Sequence, residues 1–225
     1  MRLFKICLFG LIFLSACQNN RIKTKESEFA SLPKPAANEQ VATFAGGCFW
    51  ALAEGMSELK GVTKVVSGYA GGTTKNPTYE EVCADNTGHA ESVQVYYDPK
   101  IISYSQLAEA FLYAHDPTTL NRQGPDEGED YRSIAFYRSP QEEEILESTF
   151  AKVDASRHYP NPIVTEIKPY KVLYAAENYH QGYYKLHPNS SYIQFVSVPK
   201  VMKLRKTMSD FIKPEFKGNW PQTLN

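Results

Sequence analysis

The chain has 225 residues, 42% of them hydrophobic and 22% charged, and a formal net charge of -1. That balance fits one globular domain with a sizeable core and leaves little room for a second. It excludes the strongly basic surface with which a chain would bind nucleic acid.

The first residues differ from the rest. Arg2 and Lys5 precede a short apolar run over residues 6–14, too short to span a bilayer and laid out like a secretory signal. Leu14-Ser15-Ala16-Cys17 resembles the bacterial lipoprotein cleavage box. That resemblance implies loss of residues 1–16, a lipid on Cys17 and anchoring to a membrane outside the cytoplasm. An uncleaved anchor, or an ordinary signal with a chance cysteine, is the alternative. Cys7 would leave with the signal and Cys17 would carry lipid, so Cys48 and Cys83 remain as the thiols of the folded part. In an oxidising compartment they could instead pair as a structural disulfide. Residues 17–40 are polar, with Pro33 and Pro35, and read as a flexible tether.

The folded domain is expected over residues 41–215, with 216–225 as a tail. Residues 41–44 read as a short buried strand, broken by Gly46-Gly47, and residues 48–59 as a helix ending near Gly61. Residues 62–69 are a second strand, followed by a long Gly/Pro/Asn turn. Residues 90–97 alternate most clearly as a strand. A Ser103-x-x-Gln106 capping box opens a helix to residue 113. Residues 116–130 form an acidic Gly/Pro loop, and 133–137 a strand. Ser139-Pro140 opens a helix to residue 156. A strand at 164–167 and a helix at 175–185 follow, then a mostly irregular extension with a helix over 200–211. Strands and helices mix without strict alternation. The fold class is therefore α+β, a two-layer sandwich with a mixed sheet, a ferredoxin-like core and an irregular C-terminal extension.

Cys48 sits where a strand, two glycines and a helix start meet. Free N–H groups and the positive dipole end there stabilise a thiolate and lower a thiol's pKa. A buried structural cysteine is the alternative reading. Phe49 and Trp50 are either core residues or an apolar wall beside the sulfur, suited to a small group such as a methyl. Glu91 shares one strand face with Val93, Val95 and Tyr97, so it faces inward unless strand twist returns it to water. Burial would keep it protonated and able to donate to a substrate oxygen. Tyr79, Asp126 and Tyr131 lie in or beside Gly/Pro-rich loops, where phenols could donate to a polarised oxygen. None of the five histidines has a spacing that singles it out, and His180 reads as a helix-packing residue. No His/Cys cluster has zinc spacing, so no metal is expected.

Taken together, Gly46-Gly47-Cys48-Phe49-Trp50, Gly68-Tyr69-Ala70-Gly71-Gly72, Asn76-Pro77-Thr78-Tyr79-Glu80-Glu81-Val82-Cys83, Gly88-His89-Ala90-Glu91, Asp116-Pro117-Thr118, Asp126 with Asp130-Tyr131-Arg132-Ser133, and Ala176-Glu177-Asn178-Tyr179-His180-Gln181 resemble the A-type methionine sulfoxide reductases, in the family's order. The resemblance implies attack by Cys48 on the sulfur of an S-epimer methionine sulfoxide, leaving a sulfenic acid. It implies proton donation by Glu91 with help from Tyr79 and Tyr131, a methyl pocket of Phe49 and Trp50, and a pocket-shaping role for Asp126. Oxidised proteins would be the substrates, a thioredoxin-like or small-thiol donor the reductant, and a monomer the working form, with no bound cofactor needed.

One departure stands out. Ser190-Ser191-Tyr192-Ile193-Gln194 resembles a segment in which the family carries a resolving cysteine after the tyrosine. Here that position is Ile193, and no cysteine follows Cys83. Resetting would then fall to Cys83 or an external thiol, although Cys83's position is not the family's usual resolving one. Two other classes compete. One is a thiol acyl-transferase or hydrolase, which needs a His–acid pair that the sequence does not display. The other is a non-catalytic surface lipoprotein.

Overall fold

The computed structural model describes residues 28–218, so residues 1–16, Cys17 and the start of the tether lie outside the described residues. A six-stranded mixed sheet carries the domain. Its strands are β1 (Gln40–Gly46), β2 (Val62–Ala70), β3 (Ala90–Tyr97), β6 (Ser133–Tyr137), β7 (Glu166–Pro169) and β8 (Leu173–Ala175), in the order β7-β6-β1-β3-β2-β8. The β6–β7 pair is parallel and the other pairings are antiparallel. Helices α1 (Phe49–Ser57), α3 (Tyr104–Ala114), α4 (Pro140–Ala155) and α6 (Val198–Thr207) complete the α+β domain. Short helices α2 (Tyr79–Cys83) and α5 (Tyr183–Leu186) flank the site described below.

The main core lies between the sheet and these helices. Phe44 stacks on Phe111 at 4.7 Å between ring centres, and Leu52, Met56, Val93, Val95 and Leu107 close around them. A smaller cluster of Ala45, Ala70, Ala90, Ile134, Phe136 and Leu173 covers the opposite face. Central strand β3 is therefore buried at every residue, on both faces. The expected alternation of inward and outward residues is absent there, because a central strand covered on both sides has no solvent face.

Local signals set the helix starts. Ser103 and Gln106 make the expected capping box on α3, and Thr78 with Glu81 makes another on α2. Ser139 caps α4, with Pro140 in its first turn.

Four segments differ from expectation. The helix expected over 175–185 is instead edge strand β8, a 3-10 turn (Asn178–His180) and α5. Gln181 explains the change: its side chain accepts from Ser67 N–H at 2.9 Å and donates to the Ser67 carbonyl at 3.0 Å, standing in for a neighbouring strand. Gly182, at φ +66°, then turns the chain. The 116–130 loop contains a hairpin of β4 (Arg122–Gln123) and β5 (Asp126–Glu127) and a 3-10 turn (Glu129–Tyr131). The described part of the expected tether lies on the domain: Ala30 N–H donates to the Ala176 carbonyl at 3.0 Å, and the Tyr96 hydroxyl to the Pro33 carbonyl at 2.8 Å. The C-terminal extension is ordered by α6, whose Arg205 holds fully buried Glu58, the C-cap of α1, through two hydrogen bonds of 2.6 Å. Phe216, the first residue assigned to the tail, also packs against the core.

Among the described residues, no helix is long and apolar enough to cross a membrane.

Candidate active site

Cys48 caps the N-terminus of α1, directly after β1 and Gly46-Gly47. Gly47 has φ +77°, a conformation that side chains resist, and a Cβ there would stand 2.5 Å from the Gln123 Cγ. Close approach of the β4–β5 hairpin thus fixes the turn that aims Cys48. Gly47→Ala should cost about 1–3 kcal/mol of stability through strain and overlap. Urea unfolding checks this; an unchanged midpoint would mean that the turn relaxes freely.

The Cys48 thiol is buried. Glu91, the second residue of β3, is buried beside it, and its Oε2 accepts the first helical N–H, that of Phe49, at 2.9 Å. The amide that a helix start would offer an anion is thereby taken by Glu91. The Trp50 N–H hydrogen-bonds to the sulfur instead, and the Tyr192 hydroxyl, whose proton goes to Asp126, lies against it.

The electrostatics differ from expectation at the thiol and agree at the carboxyl. Burial first, and Glu91's charge second, push the Cys48 thiol up from its ordinary range. Tyr192, the Trp50 amide and Lys200 oppose this without overcoming it. The helix start alone therefore does not leave a thiolate at rest. Burial pushes Glu91 up to about 8, against the Phe49 hydrogen bond, with Asp130 and Asp126 adding to the rise. Glu91 is thus a protonated acid at neutral pH. Burial likewise raises Tyr79 and Tyr131, which remain phenols.

The other candidates gather around this pair. Tyr79 opens α2, with its N–H held by Glu177 Oε1 at 2.9 Å, and its phenol and that of Tyr131 both feel the Glu91 charge. Phe49 is fully buried, 5.9 Å from Tyr69, while Trp50 is half-buried and stacks on Tyr183 at 3.9 Å. Asp126 Oδ2 accepts the Tyr192 hydroxyl at 2.7 Å and lies 3.5 Å from Lys200 Nζ. Cys83 is exposed and hydrogen-bonds to Tyr79; burial of part of its surface pushes its thiol up to about 11.

Several residues here escaped the sequence reading. His180 is not in an α-helix: its Nδ1 accepts the Trp50 indole N–H at 3.1 Å, and burial lowers it to about 4, so it is a neutral acceptor. Glu177 joins Tyr69 Oη, at 2.8 Å, to Tyr79. Tyr192 entered only as the neighbour of an absent cysteine, and Lys200 only as the start of an expected helix. Their positions come from the packing of α6 and the preceding π-helical turn (Ile193–Ser197), which leaves no local signature in the sequence.

The arrangement brings together a thiol, a protonated carboxyl, two phenols and an aromatic wall. Residues 40–211 match the family model described as "Peptide methionine sulfoxide reductase". The chain is 47% identical over 180 residues to "Peptide methionine sulfoxide reductase MsrA 1" of Rhodopirellula baltica, covering 80% of this chain and 93% of that protein. It is 48% identical over 166 residues to the MsrA of Leptospira borgpetersenii, covering 74% and 93%. Among solved structures it resembles reduced Mxr1 from Saccharomyces cerevisiae, with TM-score 0.66 and 34% identity, covering 70% of this chain and 91% of that one. It also resembles methionine sulfoxide reductase A of Corynebacterium diphtheriae, with TM-score 0.62 and 31% identity, covering 74% and 91%. Matches of this extent over the whole catalytic domain place the chain in the peptide methionine sulfoxide reductase family, as an oxidoreductase.

Proposed function

We propose that this reductase acts on the S epimer of methionine sulfoxide, free or in peptides and oxidised proteins, with Cys48 as nucleophile and Glu91 as proton donor. The observation that carries this reading is the pairing of buried Cys48 with a Glu91 whose carboxyl stays protonated up to about 8. The sulfoxide methyl rests against Phe49 and Trp50. Glu91, Tyr79 and Tyr131 donate to the sulfoxide oxygen, and Asp126 holds Tyr192 at the pocket wall. As Glu91 protonates the sulfoxide oxygen, the Cys48 sulfur pair attacks the sulfoxide sulfur, and the thiol proton passes to the Glu91 carboxylate so formed. Overall the methionine sulfur is reduced and its oxygen ends on Cys48 as a sulfenic acid. A thioredoxin-like protein or a small thiol then returns Cys48 to the thiol, with exposed Cys83 available as an internal alternative.

Residues 1–16 serve as a lipoprotein signal, Cys17 carries lipid, and the remaining tether holds one catalytic domain, as a monomer, outside the cytoplasm. The strand order β6-β1-β3-β2, with α1 and α3 as connections, supports reading the central sheet as a ferredoxin-like core.

The test incubates the full chain with dithiothreitol and both epimers of a methionine sulfoxide peptide. Methionine should form from the S epimer alone. Equal use of both, or of neither, sinks the proposal.

A further inference from the structure

Cys48 faces mostly acids and neutral groups. Glu91 of β3, Tyr79 of α2 and Tyr192, the residue before the π-helical turn, act on it directly, while Asp126 of β5, and Asp130 and Tyr131 of the following 3-10 turn, surround Glu91, and neutral His180 accepts from Trp50. A thiolate forming there needs a counter-charge. Lys200, in the first turn of α6, supplies one. Its ammonium is largely buried, 3.5 Å from Asp126 Oδ2, and donates to the Gln123 carbonyl at 3.4 Å. Asp126 takes the Tyr192 hydroxyl, and Tyr192 reaches the Cys48 sulfur. Gln123 in turn packs over Gly47, the residue before the nucleophile. One side chain on the C-terminal helix thus grips both strands of the hairpin that shapes the turn at Cys48.

We infer that Lys200 is a positioning residue of this site: it fixes Asp126 and Tyr192 against the Cys48 sulfur, and it brings a positive charge to the side of the site from which Tyr192 approaches that sulfur. The inference rests on Cys48 being the nucleophile. Lys200 also bears on His115, whose imidazole is buried, lowered to about 4 and neutral, so His115 contributes no competing charge. The same ammonium lowers Glu91, though less than burial raises it. Replacing Lys200 therefore pushes both Cys48 and Glu91 further toward their protonated forms.

The test measures alkylation of Cys48 by iodoacetamide from pH 6 to 10.5 in the full chain, with the modified peptide identified by mass. Only thiolate reacts, so the rate below the midpoint follows the thiolate fraction. Lys200→Met and Lys200→Gln should both react about tenfold more slowly at a given pH, a shift of about one unit, and Lys200→Arg should recover most of the rate. Glutamine retains a donor for the Gln123 carbonyl, so its agreement with methionine isolates the charge. Thermal unfolding run in parallel shows that the compared proteins are folded. Wild-type alkylation profiles in Lys200→Met and Lys200→Gln would overturn the inference, even with turnover reduced, because a purely structural lysine would leave the thiol's titration in place. No sulfoxide enters this measurement, so a wrong substrate assignment cannot imitate that failure.

Discussion

Glu91→Gln is expected to lower kcat by about 10²–10⁴-fold while making Cys48 more reactive toward alkylation above pH 8. Glutamine can still accept the Phe49 N–H that Glu91 Oε2 accepts, so the helix start keeps its partner. What disappears is the transferable proton, whose loss in general acid catalysis carries a penalty of that size. The carboxylate's repulsion of the thiolate disappears with it; that repulsion is the second cause of the raised Cys48 thiol. The sign with pH follows. The carboxyl is held near 8, so the acid form that donates is present below that value and lost as pH rises through it. Wild-type kcat should therefore fall on the alkaline side, and the residual activity of Glu91→Gln should lack that limb. Stability carries the same signature. The folded chain keeps this proton between the ordinary value of 4.5 and about 8, where the unfolded chain has lost it, so stability declines as pH rises through that window. Glu91→Gln should unfold at higher urea than wild type at pH 8 and lose that advantage near pH 4. Steady-state kinetics and urea titrations at several pH values check both; unchanged kcat with unchanged alkylation would remove Glu91 from the chemistry.

Cys48→Ser is expected to abolish turnover to background while leaving the domain folded. Serine is close in shape, and the site already holds polar partners in the Trp50 N–H and Tyr192. A hydroxyl is a far weaker nucleophile at neutral pH than a thiolate, and it cannot be oxidised in place to a sulfenic acid. Methionine release by Cys48→Ser at more than about one thousandth of the wild-type rate would move the nucleophile elsewhere, with Cys83 the next thiol to examine.

The parts of this molecule legible in its sequence are those set by local chemistry. Ser103-x-x-Gln106 and Ser139-Pro140 announce α3 and α4, and both helices begin there. Gly46-Gly47-Cys48 announces a sharp turn into a helix, and Gly47 does adopt a positive φ. Strand parity placed Glu91 on the face of Val93 and Val95, beneath the helices, although β3 is buried on both faces and parity alone does not separate them. What stayed hidden depends on contacts between distant segments. Residues 175–185 carry helical composition, yet Gln181 bonds to Ser67 and Glu177 to Tyr69 and Tyr79, and those contacts outweigh local propensity. The thiol's titration departs from the local expectation for the same reason. The helix start favours a thiolate, but full burial and a neighbouring carboxyl are larger, and both are set by tertiary structure. Lys200 and Tyr192 reach the site only because α6 folds back over α1, held by Arg205 and Glu58.

The most direct measurement is a single turnover without reductant. The full chain is mixed with excess S-epimer sulfoxide peptide and dimedone, the released methionine is counted, and each cysteine is read by peptide mass. About one methionine per chain, with a dimedone adduct at Cys48, is the predicted result. Methionine formed while Cys48 stays an unmodified thiol would contradict the assignment of this residue as the nucleophile.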